Sequence, residues 1–139
     1  MRRRLTAVTA AALIAGALCC PAQAQAPAVV GDWSVLAIGN EAIAAEAGLT
    51  VTFTVDGAVS GSTGCNSFSG RYEARGAGVT ILPLRMTRRG CPEVEMRREV
   101  AMMRALGTTR RADQRVEGRL ALMGDGNAGT ELLLGPRAP

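Results

Sequence analysis

Cysteines, scattered carboxylates and a run of arginines are the groups in this 139-residue chain whose side chains could do chemistry. Histidine is absent, which excludes a histidine triad, an imidazole general base and a histidine-liganded metal site. Of the four cysteines, Cys19 and Cys20 lie near the N-terminus, whereas Cys65 and Cys91 sit in Gly64-Cys65-Asn66 and Gly90-Cys91-Pro92. Two cysteines without a CxxC spacing or a histidine make a poor zinc site. Two readings of that pair remain. In an oxidising compartment they bond to each other, closing a loop of about 26 residues and stabilising the fold by roughly 3.5 kcal/mol through loop-closure entropy. Alternatively, Cys91 is a reactive thiol, its thiolate favoured by a helix N-terminus and by Arg88 and Arg89 beside it.

The carboxylates offer less. Asp32, Glu41, Glu46 and Asp56 are spread over turn-like and helix-like segments, with no spacing that pairs them for acid–base work. Glu99 falls near the buried face of a predicted helix, where it is either an acid of raised pKa or a carboxylate bonded to a neighbouring turn or arginine. Gly124-Asp125-Gly126-Asn127 resembles a piece of a calcium loop but lacks the closing glutamate, and reads as a turn. The arginines are unevenly placed: residues 25–70 carry four acids and no arginine, while residues 85–111 carry eight arginines and three acids. Arg88, Arg89, Arg97 and Arg98 are therefore a candidate surface for a phosphate-bearing lipid or an acidic envelope protein. The competing reading is a solvated helix face with intrahelical pairs Glu93–Arg97 and Glu95–Arg98. Nucleic acid is not expected as a partner, because Trp33, Phe53, Phe68 and Tyr72 read as strand core and not as a stacking platform.

The elements that hold these groups follow from the hydrophobic periods. Arg2-Arg3-Arg4, an apolar run over residues 5–18 and Ala22-Gln23-Ala24 read as a secretory signal peptide over residues 1–24. Cleavage after Ala24 places the protein in the periplasm or outside the cell. Lipoprotein anchoring through Cys19 or Cys20 is the competing reading, opposed by the residues before them. Removal of residues 1–24 takes away three arginines and two cysteines and brings the net charge from +4 to about +1. No later segment is long and apolar enough to be a transmembrane helix. Residues 25–30 read as a short disordered leader. Strands are predicted at 31–38, 49–55, 58–61, 67–74, 79–82, 114–117, 119–123 and 130–134, with an Asp56-Gly57 hairpin turn. Residues 93–106 switch to a helical period through Met96, Val100 and Met103, with Glu99, Met102 and Leu106 beside them. Pro92 suits the first helical position and Gly107 the C-cap. The economical architecture is α+β: a sheet of six to eight strands with one helix on its apolar face.

A family resemblance rests on particular residues: Gly31-Asp32-Trp33, Phe53, Asp56-Gly57, residues 61–66, Phe68-Ser69-Gly70, Tyr72, residues 87–92, residues 96–99 and Leu106. Together they resemble the META domain family, which includes the bacterial HslJ proteins, over about residues 31–135. The specific motifs are Gly-Cys-Asn and Thr-x-x-x-Cys-Pro, which place Gly64, Asn66, Thr87, Pro92 and Glu99 as the family's turn and helix residues. Departures include the lysine-free surface and Arg89 where methionine or lysine is frequent. The resemblance implies a small curved antiparallel sheet or half-barrel packed on a helix, no catalytic residues, no cofactor or metal, and a role in envelope stress. The expected protein is a non-enzymatic, monomeric domain acting through contacts with an envelope protein or lipid. The alternative is a carrier or sensor holding a lipid or other apolar molecule between sheet and helix.

Overall fold

A computed structural model describes residues 27–126 and 131–138. The signal peptide, Cys19, Cys20 and the Ala24 cleavage site lie outside the described residues, as do Asn127 and Thr130. In chain order the elements are β1 (Gly31–Ile38), β2 (Glu41–Ala42), β3 (Leu49–Phe53), β4 (Ala58–Thr63), β5 (Ser67–Arg75), β6 (Gly78–Ile81) and β7 (Arg85–Met86). After them come α1 (Glu93–Thr108), β8 (Arg111–Gln114), β9 (Leu120–Met123) and β10 (Leu132–Pro136).

All strand pairs are antiparallel, in the order β10-β9-β8-β6-β5-β4-β3-β1. β1 also pairs with β10, from Trp33 opposite Pro136 to Ile38 opposite Leu132, so the eight strands close into a barrel. Closure goes one step past the half-barrel. It removes both free edges, which an open sheet would present to other chains. β2 and β7 are short additions paired to β1 and β5.

Alternation explains the barrel wall. Leu49, Val51 and Phe53 point inward from β3, with Thr50 and Thr52 half-exposed between them. Trp33, Val59, Phe68, Tyr72, Val79, Leu120, Leu122, Leu132 and Leu134 fill the interior from the other strands. Trp33 Nε1 donates to the Val29 carbonyl at 2.8 Å, satisfying the one polar atom of the ring. Val29 itself is buried, so the segment expected to be a disordered leader is anchored from residue 27 onward.

The chain after β7 crosses one end of the barrel as α1, which touches β1, β4, β6, β9 and β10, strands from all round the wall. Met102, Ala105 and Leu106 enter the barrel mouth and lie fully buried. Burial of the Met102 and Leu106 side chains stabilises by about 1.5–3 kcal/mol each. Glu99, expected near the buried face, forms the inner stripe with Met102 and Leu106, whereas Val100, which shares the helical period, is 66% exposed. Pro92 occupies the N-cap position, and the helix runs through Gly107 to Thr108. The other differences are local. β3 ends at Phe53, leaving Val55 exposed in the turn. Residues 116–118 form a single 3-10 turn with Glu117 at φ 58°, where the 114–117 strand was expected, and β8 takes Arg111–Gln114 instead.

Candidate functional site

β4 ends at Thr63, and the chain turns through Gly64, Cys65 and Asn66 into β5. Gly64 has φ +85°, and a Cβ there would sit 2.5 Å from the Ala47 carbonyl oxygen, so only glycine fits this turn. Cys65 is bonded to Cys91, with Cα atoms 6.0 Å apart, which fastens the β4–β5 turn to the residue two before α1. That bond removes the reactive-thiol reading: both sulfurs are in a disulfide.

Asn66 organises the corner. Its side-chain Nδ2 donates to Glu99 Oε2 at 2.9 Å and to the Arg89 carbonyl at 3.2 Å. Its Oδ1 accepts from the Thr87 hydroxyl at 2.8 Å and from the Arg89 backbone N–H at 2.7 Å. Both amide hydrogens and both carbonyl lone pairs are therefore used. The residue is 3% exposed, so an unmade bond here would cost about 1–3 kcal/mol.

Glu99, 4% exposed, reaches the corner from the inner stripe of α1. Its Oε2 accepts the Asn66 amide and the Thr63 hydroxyl, the latter at 2.7 Å. The Thr63 oxygen in turn accepts the Asn66 backbone N–H at 2.8 Å and that of Cys65 at 3.3 Å. Of the two readings of Glu99, the bonded one describes the structure, and its partners come from a turn and not from an arginine. The corner joins β4, β5, the segment before α1 and α1 itself with one covalent bond and a closed set of hydrogen bonds. Chemically it is a clasp: the Asn66 amide, the Thr63 hydroxyl and Glu99 Oε2 are spent on one another and on the Arg89 backbone.

The predicted family-motif residues Gly64, Asn66, Thr87 and Glu99 all meet here, and Pro92 lies next to Cys91 at the start of α1. Sequence reasoning missed Thr63 and the backbone of Arg89. Thr63 carried one signal, its place in the inward alternation after Val59 in β4. The Arg89 peptide carried none, because its role depends on register across the clasp.

The four candidate arginines do not form one cluster of equivalent groups. Arg97 pairs with Glu93 at 3.1 Å as expected. Arg98 bonds Glu41 at 3.0 Å instead of Glu95, because Arg98 turns toward β2. Arg88 and Arg89 are exposed and make no ion pair among the described residues. Among those residues no group of three acids or cysteines could hold a metal ion, and no helix is long and apolar enough to cross a membrane. A surface cleft of about 430 Å³ lies between β6 and α1, lined by Ile81, Leu82, Leu84, Met103 and Arg110 among others.

The opposite end of β4 carries a second polar cluster. Thr54 donates to the Asp56 carboxylate and accepts the Ala58 N–H at 3.1 Å. The Thr54 hydrogen bond holds the Asp56 carboxyl below its ordinary value of 3.8, with Arg71 adding to the effect. Tyr72 donates its hydroxyl to the Thr54 carbonyl at 2.7 Å and packs edge-on against Phe53 at 5.0 Å. Burial, with the Asp56 charge added, pushes the Tyr72 phenol above its ordinary value of 10.0.

A closed eight-stranded antiparallel barrel, capped by one helix and clasped to it through Cys65 and Cys91, defines a class of small β-barrel domain. Within that class the chain belongs to the META domain family, whose model matches residues 26–137. Its fold is similar to that of a protein from Burkholderia xenovorans solved by NMR, at 22% identity and a TM-score of 0.64, covering 78% of this chain and 83% of that one. A second NMR structure aligns at 19% identity and a TM-score of 0.61, over 76% of this chain and 88% of that one. A DUF4847 family protein from Bacteroides vulgatus aligns at 17% identity and a TM-score of 0.56, over 81% of this chain and 96% of that one. At these identities the likeness concerns the fold alone. No curated protein matches the chain.

Proposed function

We propose that this protein is an exported, non-enzymatic, HslJ-like META domain that supports cell-envelope integrity or stress response through protein contacts. It works as a monomer in the periplasm or outside the cell, after cleavage near Ala24, and needs no cofactor. The observation that carries this reading is the clasp. Its one buried carboxylate, Glu99, is spent on Thr63 and Asn66, and its two cysteines are spent on each other, so the most chemically loaded part of the domain serves architecture. A disulfide in that position also suits an oxidising compartment.

The first test is the intact mass of protein recovered from its native envelope. The expected mass lacks residues 1–24 and is two hydrogens lighter before reduction than after it. A mass carrying acyl chains on Cys19 or Cys20 would replace simple secretion with lipid anchoring. A full-length chain with free thiols would remove the export reading.

The cleft between β6 and α1 supports the second reading, a carrier of a lipid or other apolar molecule, because Leu82, Leu84 and Met103 give it an apolar wall. Native mass spectrometry of the same material separates the two. A retained lipid favours the carrier, and an empty domain bound to a captured envelope protein favours the contact module.

A further inference from the structure

The inner stripe of α1 leaves a second apolar stripe outside. Met96, Val100 and Ala101 line a shallow groove of about 500 Å³ whose other walls are Glu93, Arg97 and Arg104, all from the helix itself. Val100 is 66% exposed at the centre of this face, and Val94 is 43% exposed near the helix start. Among the described residues no strand or loop lines the groove.

The charge around it has one sign in excess. Glu93 is matched by Arg97. Arg104 makes no ion pair among the described residues, nor do Arg88 and Arg89 on the segment leading into α1. Arg104 thus leaves one uncompensated guanidinium in the groove, and Arg88 and Arg89 add two exposed ones on the chain just before the helix. From Glu93 to Arg104 the helix axis runs roughly 17 Å, so Arg104 and the pair that precedes the helix lie toward its opposite ends and not around one point. A row of spaced cations about a shallow apolar crown fits a plane of repeated negative head groups, which meets it in any register. A single acidic side chain could satisfy only one end.

We propose that the outer face of α1, with Arg88 and Arg89, seats this domain on an anionic phospholipid surface, Val100 resting at the head-group boundary. Arg98 is not part of the surface, because Glu41 holds it at the side of the barrel. The proposal goes beyond the contact-module reading: it concerns binding to lipid by the purified protein, and can fail or succeed whatever the protein partner is.

Co-sedimentation with vesicles of phosphatidylglycerol and phosphatidylcholine, compared with phosphatidylcholine alone, tests it. The expected result is binding only to the anionic vesicles, weakening as salt is added. Each unpaired arginine near such a surface is worth roughly fivefold in partition, so R88Q/R89Q/R104Q lowers it by about 100-fold. Val100→Ser lowers it by a smaller, salt-independent factor. The control is R71Q/R75Q/R137Q, three arginines away from α1 that also lack ion pairs among the described residues. This triple variant carries the same net charge change and keeps near-wild-type binding. Equal loss in the two triple variants would reduce the effect to net charge and overturn the proposal. So would failure of the unmodified protein to bind anionic vesicles, the result expected if the row serves an acidic protein. All the replaced side chains are exposed, and unchanged thermal unfolding of each variant verifies that its fold is intact.

Discussion

β4 is six residues long and ends in a polar cluster at each side, yet the two clusters differ in reach. At its start, Thr54, Asp56 and Ala58 bond to one another within four residues of chain, and Tyr72 and Arg71 add one contact each. At its end, Thr63 and Asn66 bond to Glu99, more than 30 residues onward, and the adjacent cysteine is tied to Cys91. The first cluster shapes a hairpin that solvent also touches. The second holds the helix on the barrel mouth. A turn built from neighbours can be lost cheaply, while a turn built from distant groups transmits its loss to the whole cap.

The strongest way to break this contrast is to remove the disulfide. Cys65→Ser with Cys91→Ser, or full reduction, is expected to lower unfolding stability by about 3.5 kcal/mol, the loop-closure value for a 26-residue separation. Chemical denaturation with and without reductant measures it. Next comes Glu99→Ala, which strands one Asn66 amide hydrogen in a buried site and leaves the Thr63 hydroxyl only the longer bond to the Asn66 carbonyl. The expected cost is about 3 kcal/mol, with Glu99→Gln milder because it keeps one acceptor oxygen. If Gln and Ala behaved alike, the hydrogen bonds would not be what the carboxylate contributes. Thr63→Val keeps the shape and removes both the donor to Glu99 and the acceptor for Asn66, at about 2 kcal/mol.

At the other end of β4 the effects are smaller. Tyr72→Phe deletes one bond to the Thr54 carbonyl and is expected to cost about 1 kcal/mol. Because the folded phenol titrates above 10.0, its contribution is complete below pH 10 and is lost as pH rises through the folded value. An unfolding titration should show this alkaline fall in the wild type and lose it in Tyr72→Phe. Asp56 titrates below 3.8 when folded, so its contribution is present above that value and is lost as pH falls through the lowered one. Asp56→Asn should flatten that acid limb with the smallest change in neutral stability of the series. A large neutral loss would show that the hairpin too carries long-range weight.

The same contrast sets what the sequence made legible. Asp56-Gly57 is a local signal, and the hairpin stands where it was expected, with Gly57 at φ 84°. The alternation of β3 and the cysteine pair were likewise readable. The face of α1 was legible only in part: Glu99 was expected near the buried side, but Met96-Val100-Met103 and Glu99-Met102-Leu106 are both helical periods, and the first is the more hydrophobic. The clasp decides between them, because Glu99 must point to Asn66 and carries Met102 and Leu106 inward with it. Local hydrophobicity alone would have buried Val100, which is exposed, while Met103 still packs against the core. Barrel closure was illegible for a related reason: the pairing of β1 with β10 joins strands about 100 residues apart, and neither strand's pattern names its partner. The 3-10 turn at residues 116–118 defeated the strand expectation because Glu117 takes a positive φ that its residue type does not advertise.

The pairing of β1 with β10 also sets an order of events. As a chain emerges N-terminal end first, β1 finds β3 within about 20 residues, but its other edge has no partner until Leu132–Pro136 arrives. Closure therefore rests on a pairing of high sequence separation, the kind that forms slowly. The disulfide falls inside that interval, since both its cysteines precede β8. Every residue of the clasp thus lies ahead of the last three wall strands in the chain, so the cap can be fastened without waiting for the strand that closes the barrel.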